Sequence, residues 1–529
     1  MGRGGIWWAV AVLVLSSIGG VASAGEPVDC DILLKGGRIC DGTLAEPKVG
    51  HVAIRGDRIV GVGEFTPGRV GIEIDCTGLV IAPGFIDLHT HSDSSIVDRN
   101  LRGNVNYLLQ GCTTVVTGNC GSGPIDVANL YRKVQEQGAG ANVAHLIPQG
   151  DVRDAVLKRE NRKATDEELE RMRVIVRKGM EDGAWGMSTG LIYVPSSYAD
   201  TEELSALVKV VGESGGLYAS HIRGEGVGLL AAVDEALRIG EAGGTPVHIS
   251  HFKSSGRDAW GLIRQAAKLI ETARAAGKKV TADQYPYIAS STSLEATLLP
   301  TWAREGGQTA LVERLDHPEQ GPRLRTEIEA ALERSQGGTS VKIARYARRP
   351  DWAGKSLAQI AEAEKISPLE LVVDITRHGG AGVVNFGMNE EDVRFAMAIP
   401  WVATASDGRG YLPGADKPHP RSYGTFPRKI GYYALRENVL GLAQAVYSSS
   451  GLPAEILGFK DRGWLKVDMA ADIVVFDPAR LIDTATFEQP HQYSTGMRYI
   501  LINGVWAVSE GVPTGALPGI PLRRQMSTK

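Results

Sequence analysis

From Phe85 onward, two hydrophobic patterns take turns along the chain. Short, continuous apolar runs bounded by Gly, Pro or Asn alternate with longer stretches in which apolar positions recur every three or four residues. The runs predict strands at 85–89, 113–118, 143–147, 184–188, 217–221, 247–251, 280–284 and 401–406. The longer stretches predict helices such as 166–182, 226–242 and 259–276, the first opening on the acidic turn Asp166-Glu167-Glu168. The first seven strands recur about every thirty residues, the length of a strand–helix unit. Eight such strands predict an α/β fold, a (β/α)8 barrel, whose chemistry sits where the strands end. The beat breaks once. Between the seventh and eighth strands, residues 288–400 hold an insertion with helical stretches at 320–335, 355–364 and 368–377. An insertion there overhangs the strand ends and is expected to act as a lid.

Both ends of the chain follow a different pattern. Asp31 to Leu34, Val52 to Ile54, Ile59-Val60 and Val80-Ile81 read as short strands, and so do Asp472 to Asp477 and Tyr499 to Gly504. Residues 25–82 and 451–529 are therefore expected to build one small β-sandwich domain from both termini, around a barrel over 83–450.

Composition narrows the class. The chain has 529 residues, 43% hydrophobic and 22% charged, and a formal net charge of −4 without a prominent basic run. Nucleic-acid binding has no electrostatic support from that balance. At the N-terminus Arg3 precedes the apolar run Ile6 to Leu15, and Ala22-Ser23-Ala24 supplies an A-x-A cleavage pattern. Residues 1–24 thus read as a secretory signal peptide, too short for a stable membrane span, and predict a periplasmic or secreted protein. The five cysteines are an odd number for an exported chain, and Cys30, Cys40 and Cys76 are candidates for a disulfide.

The expected strand ends carry the chemistry. Strand one ends in His89-Thr90-His91, strand two in Asn119-Cys120, strand five in His221, strand six in His251 and strand eight in Asp407. Four imidazoles, one thiolate and one carboxylate aimed at one rim form a donor set that zinc accepts. His248, three residues before His251, is expected to face the opposite way along the strand, into the core or the surface.

With these residues in place the chain resembles the amidohydrolase superfamily, and within it the N-acyl-D-amino acid deacylases, or D-aminoacylases. The matching text is Asp31 to Arg38, Pro83 to His91, Gly118-Asn119-Cys120-Gly121, Ser188-Thr189-Gly190-Leu191, Ser220-His221-Ile222-Arg223, Ile249 to Lys253, Tyr285-Pro286-Tyr287 and Ser406-Asp407-Gly408. The Gly-Asn-Cys-Gly segment is the specific part, because in this subgroup a cysteine replaces the carboxylated lysine of its relatives. The strand-four end, Met187-Ser188-Thr189-Gly190, accordingly has no lysine. The resemblance implies that Cys120, His221 and His251 hold a tightly bound Zn2+, with a second, weaker position at His89 and His91 and Asp407 nearby. Two positions depart from the family pattern. Phe252 stands where a second histidine often follows and is expected to alter the pocket lining; Asp468 stands where glycine is frequent.

The implied reaction is hydrolysis of the amide of a small N-acyl-D-amino acid, with Asp407 taking a proton from the attacking water and returning it to the departing amine. The substrate's carboxylate calls for cationic or hydroxyl donors. Lys253 and Tyr285, which match family motifs, are the first candidates, and Tyr193 and Arg223 the next. Three other readings stay open: a cyclic amidase of the hydantoinase or dihydroorotase kind, a non-catalytic barrel acting as a binding protein, and a cysteine hydrolase using Cys120.

Overall fold

The computed structural model describes residues 1–2 and 26–525. All but the first two residues of the expected signal segment lie outside the described residues. Eight parallel strands form the barrel: Phe85–Asp87, Cys112–Thr117, Asn142–His145 continued by Ile147–Pro148, Gly186–Gly190, Leu217–His221, Val247–Ile249, Val280–Gln284 and Val402–Thr404. The third strand is interrupted at Leu146. Its first part pairs with strand two and its second with strand four. The ring closes at the mouth rather than along the strands. Thr90 bridges Gly408, the Asp407 N–H donates to the His89 carbonyl at 2.8 Å, and the His91 N–H donates to that of Gly408 at 2.7 Å.

Side-chain alternation sorts the strands between two apolar layers. On strand five Leu217 and Ala219 point into the barrel, where they pack with Ile86, Val116 and Ala403. Tyr218 points out against the helical shell. The period of two therefore places His221 on the inner face. Below this inner layer the helix Gly451–Leu457 closes the floor through Leu452, Ala454 and Leu457. The expected helices occur as Asp166–Glu181, Leu229–Gly243 and Leu262–Ala275. The first begins with a capping box, in which Thr165 and Glu168 satisfy each other's backbone N–H groups.

The insertion is a unit with its own core. Ser290–Ser293, Gly382–Asn385 and Val341–Arg345 form a three-stranded antiparallel sheet. Helices Gly307–Asp316, Gln320–Arg334, Leu357–Glu364 and Pro368–Arg377 pack around it through Leu311, Leu324, Ile328, Leu371 and Ile375. Each such buried side chain stabilises by about 1.5–3 kcal/mol, so the insertion has internal packing of its own. Its first strand follows directly from barrel strand seven and therefore starts at the mouth.

The two chain ends meet in a nine-stranded network. Val28–Ile39 is its fork. This strand pairs with Lys48–Arg55 from Ile32 to Ile39, with Pro67–Asp75 along its first half and with Val80–Pro83 at its end. Val80–Pro83 then pairs with Ile473–Phe476 and so joins the N-terminal strands to the C-terminal ones. All five cysteines are buried and unpaired, so Cys30, Cys40 and Cys76 form no disulfide. Asp468 has φ 71°, the left-handed conformation that glycine adopts most easily, which accounts for the family's preference there. Among the described residues no helix is long and apolar enough to cross a membrane.

Candidate metal centre

The six expected donors converge at the barrel mouth. Cys120 Sγ lies 3.2 Å from His89 Nε2, 3.5 Å from His221 Nδ1 and 3.7 Å from His251 Nε2. Asp407 Oδ1 lies 3.0 Å from His91 Nε2 and 3.6 Å from His89 Nε2. Three overlapping groups are close enough to share an ion: Cys120 with His221 and His251, Cys120 with His89 and His91, and His89 with His251 and Asp407. Tetrahedral ligands at about 2.0–2.3 Å from one zinc stand about 3.3–3.7 Å from one another. The sulfur–nitrogen distances around Cys120 have that size, and the mixed sulfur, nitrogen and oxygen set suits zinc. The residues present fit the metal.

Local backbone geometry delivers these side chains. Cys120, His251 and Asp407 have φ of 51°, 38° and 50°, a left-handed conformation that non-glycine residues seldom adopt. Each follows the last hydrogen-bonded residues of its strand and turns the chain across the rim. Strain of this kind, of order 1–3 kcal/mol per residue, persists where surrounding contacts hold it. At Cys120 those contacts come from strand four. Ser188 Oγ accepts the Gly121 N–H at 3.0 Å and donates to the Gly118 carbonyl. Gly190 lets the turn come close, since a Cβ there would stand 2.0 Å from the Cys120 carbonyl oxygen.

The same turn explains His248. Strand six stops at Ile249, and the left-handed His251 breaks the alternation that separates the two histidines. His248 is core, as expected, yet it is tied to the site. Its Nε2–H donates to Asp283 Oδ2 at 2.9 Å, and the same oxygen lies 3.4 Å from His89 Nδ1. Asp283 Oδ1 accepts the His251 N–H at 2.8 Å. One buried carboxylate therefore braces two donor residues.

Charge is concentrated here. Burial alone would raise the Cys120 thiol, but the charge on His89 and hydrogen bonds from His221, His251 and His89 hold it well below its usual value. Burial likewise works against ionised Asp407, and Arg421 with His89 outweighs it, keeping the carboxyl well below its ordinary range. Burial disfavours protonated His91, yet Asp407 and Cys120 raise it to about 9.

The expected substrate contacts divide. Lys253 Nζ lies 5.7 Å from the Tyr285 ring centroid, and the Tyr285 hydroxyl is buried without a protein partner among the described residues. Tyr193 places its ring edge-on to His221 and its hydroxyl 3.0 Å from Thr292 Oγ1 of the insertion. Arg223 is a correction. Its guanidinium is committed to Glu235 and to the carbonyls of Ser197 and Ala199, so it braces the loop after strand five. Phe252 is another, since it packs against Trp401 in the helical shell and lines no part of the mouth. Arg421 was missed. It ion-pairs with Asp407 at 2.8 Å, and its guanidinium lies 4.6 Å from the Tyr285 ring centroid. It opens the short helix Arg421–Pro427, after an irregular stretch with no periodic signal. Asp283 did leave a trace, as a carboxylate inside an otherwise uncharged strand.

Above the donors opens a cavity of about 1010 Å3, lined by His91, Cys120, Tyr193, Thr292, Asp407 and Arg421 among others. Thr292 brings the insertion to this rim.

Comparison with known proteins follows the same lines. The sequence profile described as the amidohydrolase family matches residues 73–508. A D-aminoacylase of Alcaligenes xylosoxydans xylosoxydans is 34% identical, over 93% of this chain and 98% of its own. The crystal structure of N-acyl-D-glutamate deacylase from Bordetella bronchiseptica, complexed with zinc and a phosphonate mimic of the tetrahedral intermediate, superposes with a TM-score of 0.81 at 31% identity, over 94% of this chain and all of that one. A D-aminoacylase structure concerned with a binuclear metal centre, with one-metal activation and second-metal attenuation, gives a TM-score of 0.80 at 31% identity over the same shares.

Proposed function

The chain belongs to the amidohydrolase family, and from that membership and the geometry of its barrel mouth we propose that it is a zinc-dependent hydrolase of N-acyl-D-amino acids. It releases a carboxylate and the free D-amino acid. The observation that carries this reading is the adjacency of two constellations. The Cys120–His221–His251 donor set and Asp407 lie beside Lys253, Tyr285 and Arg421, cationic and hydroxylic groups of the kind a carboxylate takes. Cys120, His221 and His251 would hold the zinc, which when bound would supply a Lewis acid for the amide carbonyl and lower the pKa of water toward neutrality. His89 and His91, with Cys120, form the second donor position.

The chain's own groups do the rest. Asp407 is kept ionised by Arg421, so it is ready to accept a proton from the attacking water and pass it to the departing amine. Lys253 and the Tyr285 hydroxyl hold the substrate's carboxylate, and Tyr193 sets its ring beside His221 with its hydroxyl turned to Thr292. The insertion reaches the rim of this assembly through Thr292. Preference for the D form is supported by the named relatives. Export is supported by Arg3, the apolar run after it and Ala22-Ser23-Ala24.

The test is release of free amine from N-acetyl-D-methionine, N-acetyl-L-methionine, N-acetyl-D-glutamate and hydantoin by the zinc-loaded protein. Turnover confined to the D-amides is expected. Ring opening of hydantoin without cleavage of the D-amides overturns the reading.

A further inference from the structure

His251 faces the donor cluster with one ring nitrogen and Glu225 with the other. Its Nε2 points toward Cys120, and its Nδ1 lies 2.8 Å from Glu225 Oε1. The same carboxylate oxygen forms a close ion pair with Lys253 Nζ, which itself stands 2.8 Å from His251 Nδ1. With Nε2 turned to the metal position, Nδ1 carries the hydrogen and needs an acceptor. Lys253 is an ammonium and supplies none. Glu225 is therefore the acceptor for both groups. Without it a buried ammonium would abut a buried N–H.

The carboxylate is itself held in place. Glu225 lies in the loop after strand five, four residues beyond His221, and its carbonyl accepts the Ser255 N–H at 2.7 Å. The loops after strands five and six are thereby tied at the point where the side chain acts. Charge agrees with the geometry: burial opposes ionised Glu225, but Lys253, His251 and His221 drive it well below the ordinary carboxylate range.

We propose that Glu225 is a positioning residue that joins the two constellations, orienting His251 toward the metal and holding Lys253 for the substrate's carboxylate through one shared oxygen. A carboxylate behind a ligating histidine fixes its tautomer and raises its basicity, and losing such a partner weakens metal binding about 10–100-fold. Here the same loss also frees the carboxylate-binding lysine. The inference rests on the deacylase reading for its Lys253 half and on the donor cluster alone for its His251 half.

The experiment compares wild type, E225Q, E225D and K253M as zinc-loaded full-length protein. Zinc release to a colorimetric chelator is followed, with kcat and KM for N-acetyl-D-methionine and for its uncharged counterpart, N-acetyl-D-methioninamide. E225Q should release zinc about 10–100-fold faster. It should also lose about ten- to hundredfold of the preference for the carboxylate substrate, the size of one charge-assisted contact. E225D should recover part of both. K253M should lose the preference without hastening zinc release, which separates the two halves. Wild-type zinc release together with an unchanged substrate preference in folded E225Q overturns the proposal. Failure of the wild type itself on N-acetyl-D-methionine overturns the deacylase reading instead, while the zinc-release comparison still decides the role of Glu225 behind His251.

Discussion

Replacing Asp407 with asparagine separates the charge of this group from its shape. Asn retains the volume but can neither take up the water's proton nor balance Arg421. Loss of the proton acceptor should lower kcat by about 10²–10⁴-fold. The structure also sets a stability cost. Asp407 and Arg421 are 9% and 6% exposed and 2.8 Å apart. Their gross attraction is about 6 kcal/mol at an effective dielectric of 20, and removing one partner of a buried pair typically costs about 3–5 kcal/mol because the other charge is stranded. D407N should therefore be both inactive and markedly less stable. Adding R421M removes the stranded guanidinium and should recover most of the stability while restoring no turnover. Urea unfolding of the three proteins, beside amine release and bound zinc, makes the comparison. Turnover by D407N within about tenfold of wild type would remove Asp407 from proton transfer. A double variant no more stable than D407N would show that the ion pair is not what the charge serves.

Further outcomes follow from other parts of the structure. Asp283→Asn should loosen His89 and the His251 backbone together, and zinc affinity measured against a competing chelator should fall about 10–100-fold. Chelator treatment should abolish turnover and zinc should restore it; activity that survives a metal-free preparation would favour a thiol mechanism at Cys120. His145 gives a pH signature away from the site. Buried between Thr117 and the Pro124 carbonyl, its imidazole is depressed to about 4 by desolvation. A depressed folded value means that the unfolded chain binds the proton first, so stability present above about pH 6.5 is lost as pH falls toward 4, by about 3 kcal/mol in all. His145→Gln should flatten that acid limb in urea titrations between pH 4 and 7, and an unchanged limb would refute the assignment.

The sequence exposed what repeats. Barrel strands and helices announce themselves by period, so Leu217–His221 and Asp166–Glu181 were readable to within a residue or two. The donors were readable because they stand at strand ends, the one irregular place that the period itself locates. The departures share a cause. His251 and Asp407 sit in left-handed turns that stop strands six and eight at Ile249 and Thr404, earlier than the apolar run suggests. Arg223 carried the right chemistry at a plausible spacing, but Glu235, twelve residues on, claims its guanidinium, and pairings across a loop and a helix leave no local pattern. Glu225 acts from an irregular loop and Arg421 from the first turn of a short helix, places where only three-dimensional proximity shows what a charge is for.

The seam where strand eight meets strand one has a consequence for how the molecule assembles. His91 and Asp407 are 316 residues apart in sequence and 3.0 Å apart in space. Contacts of such high order are entropically the costliest to form, and they come late unless something rewards closure. Asp407, His89 and His91 are themselves the clasp of the ring, since the Asp407 N–H donates to the His89 carbonyl and the His91 N–H to that of Gly408. An ion gripped across this clasp ties the beginning of the barrel to its end, so breathing of the seam and escape of the metal are one motion.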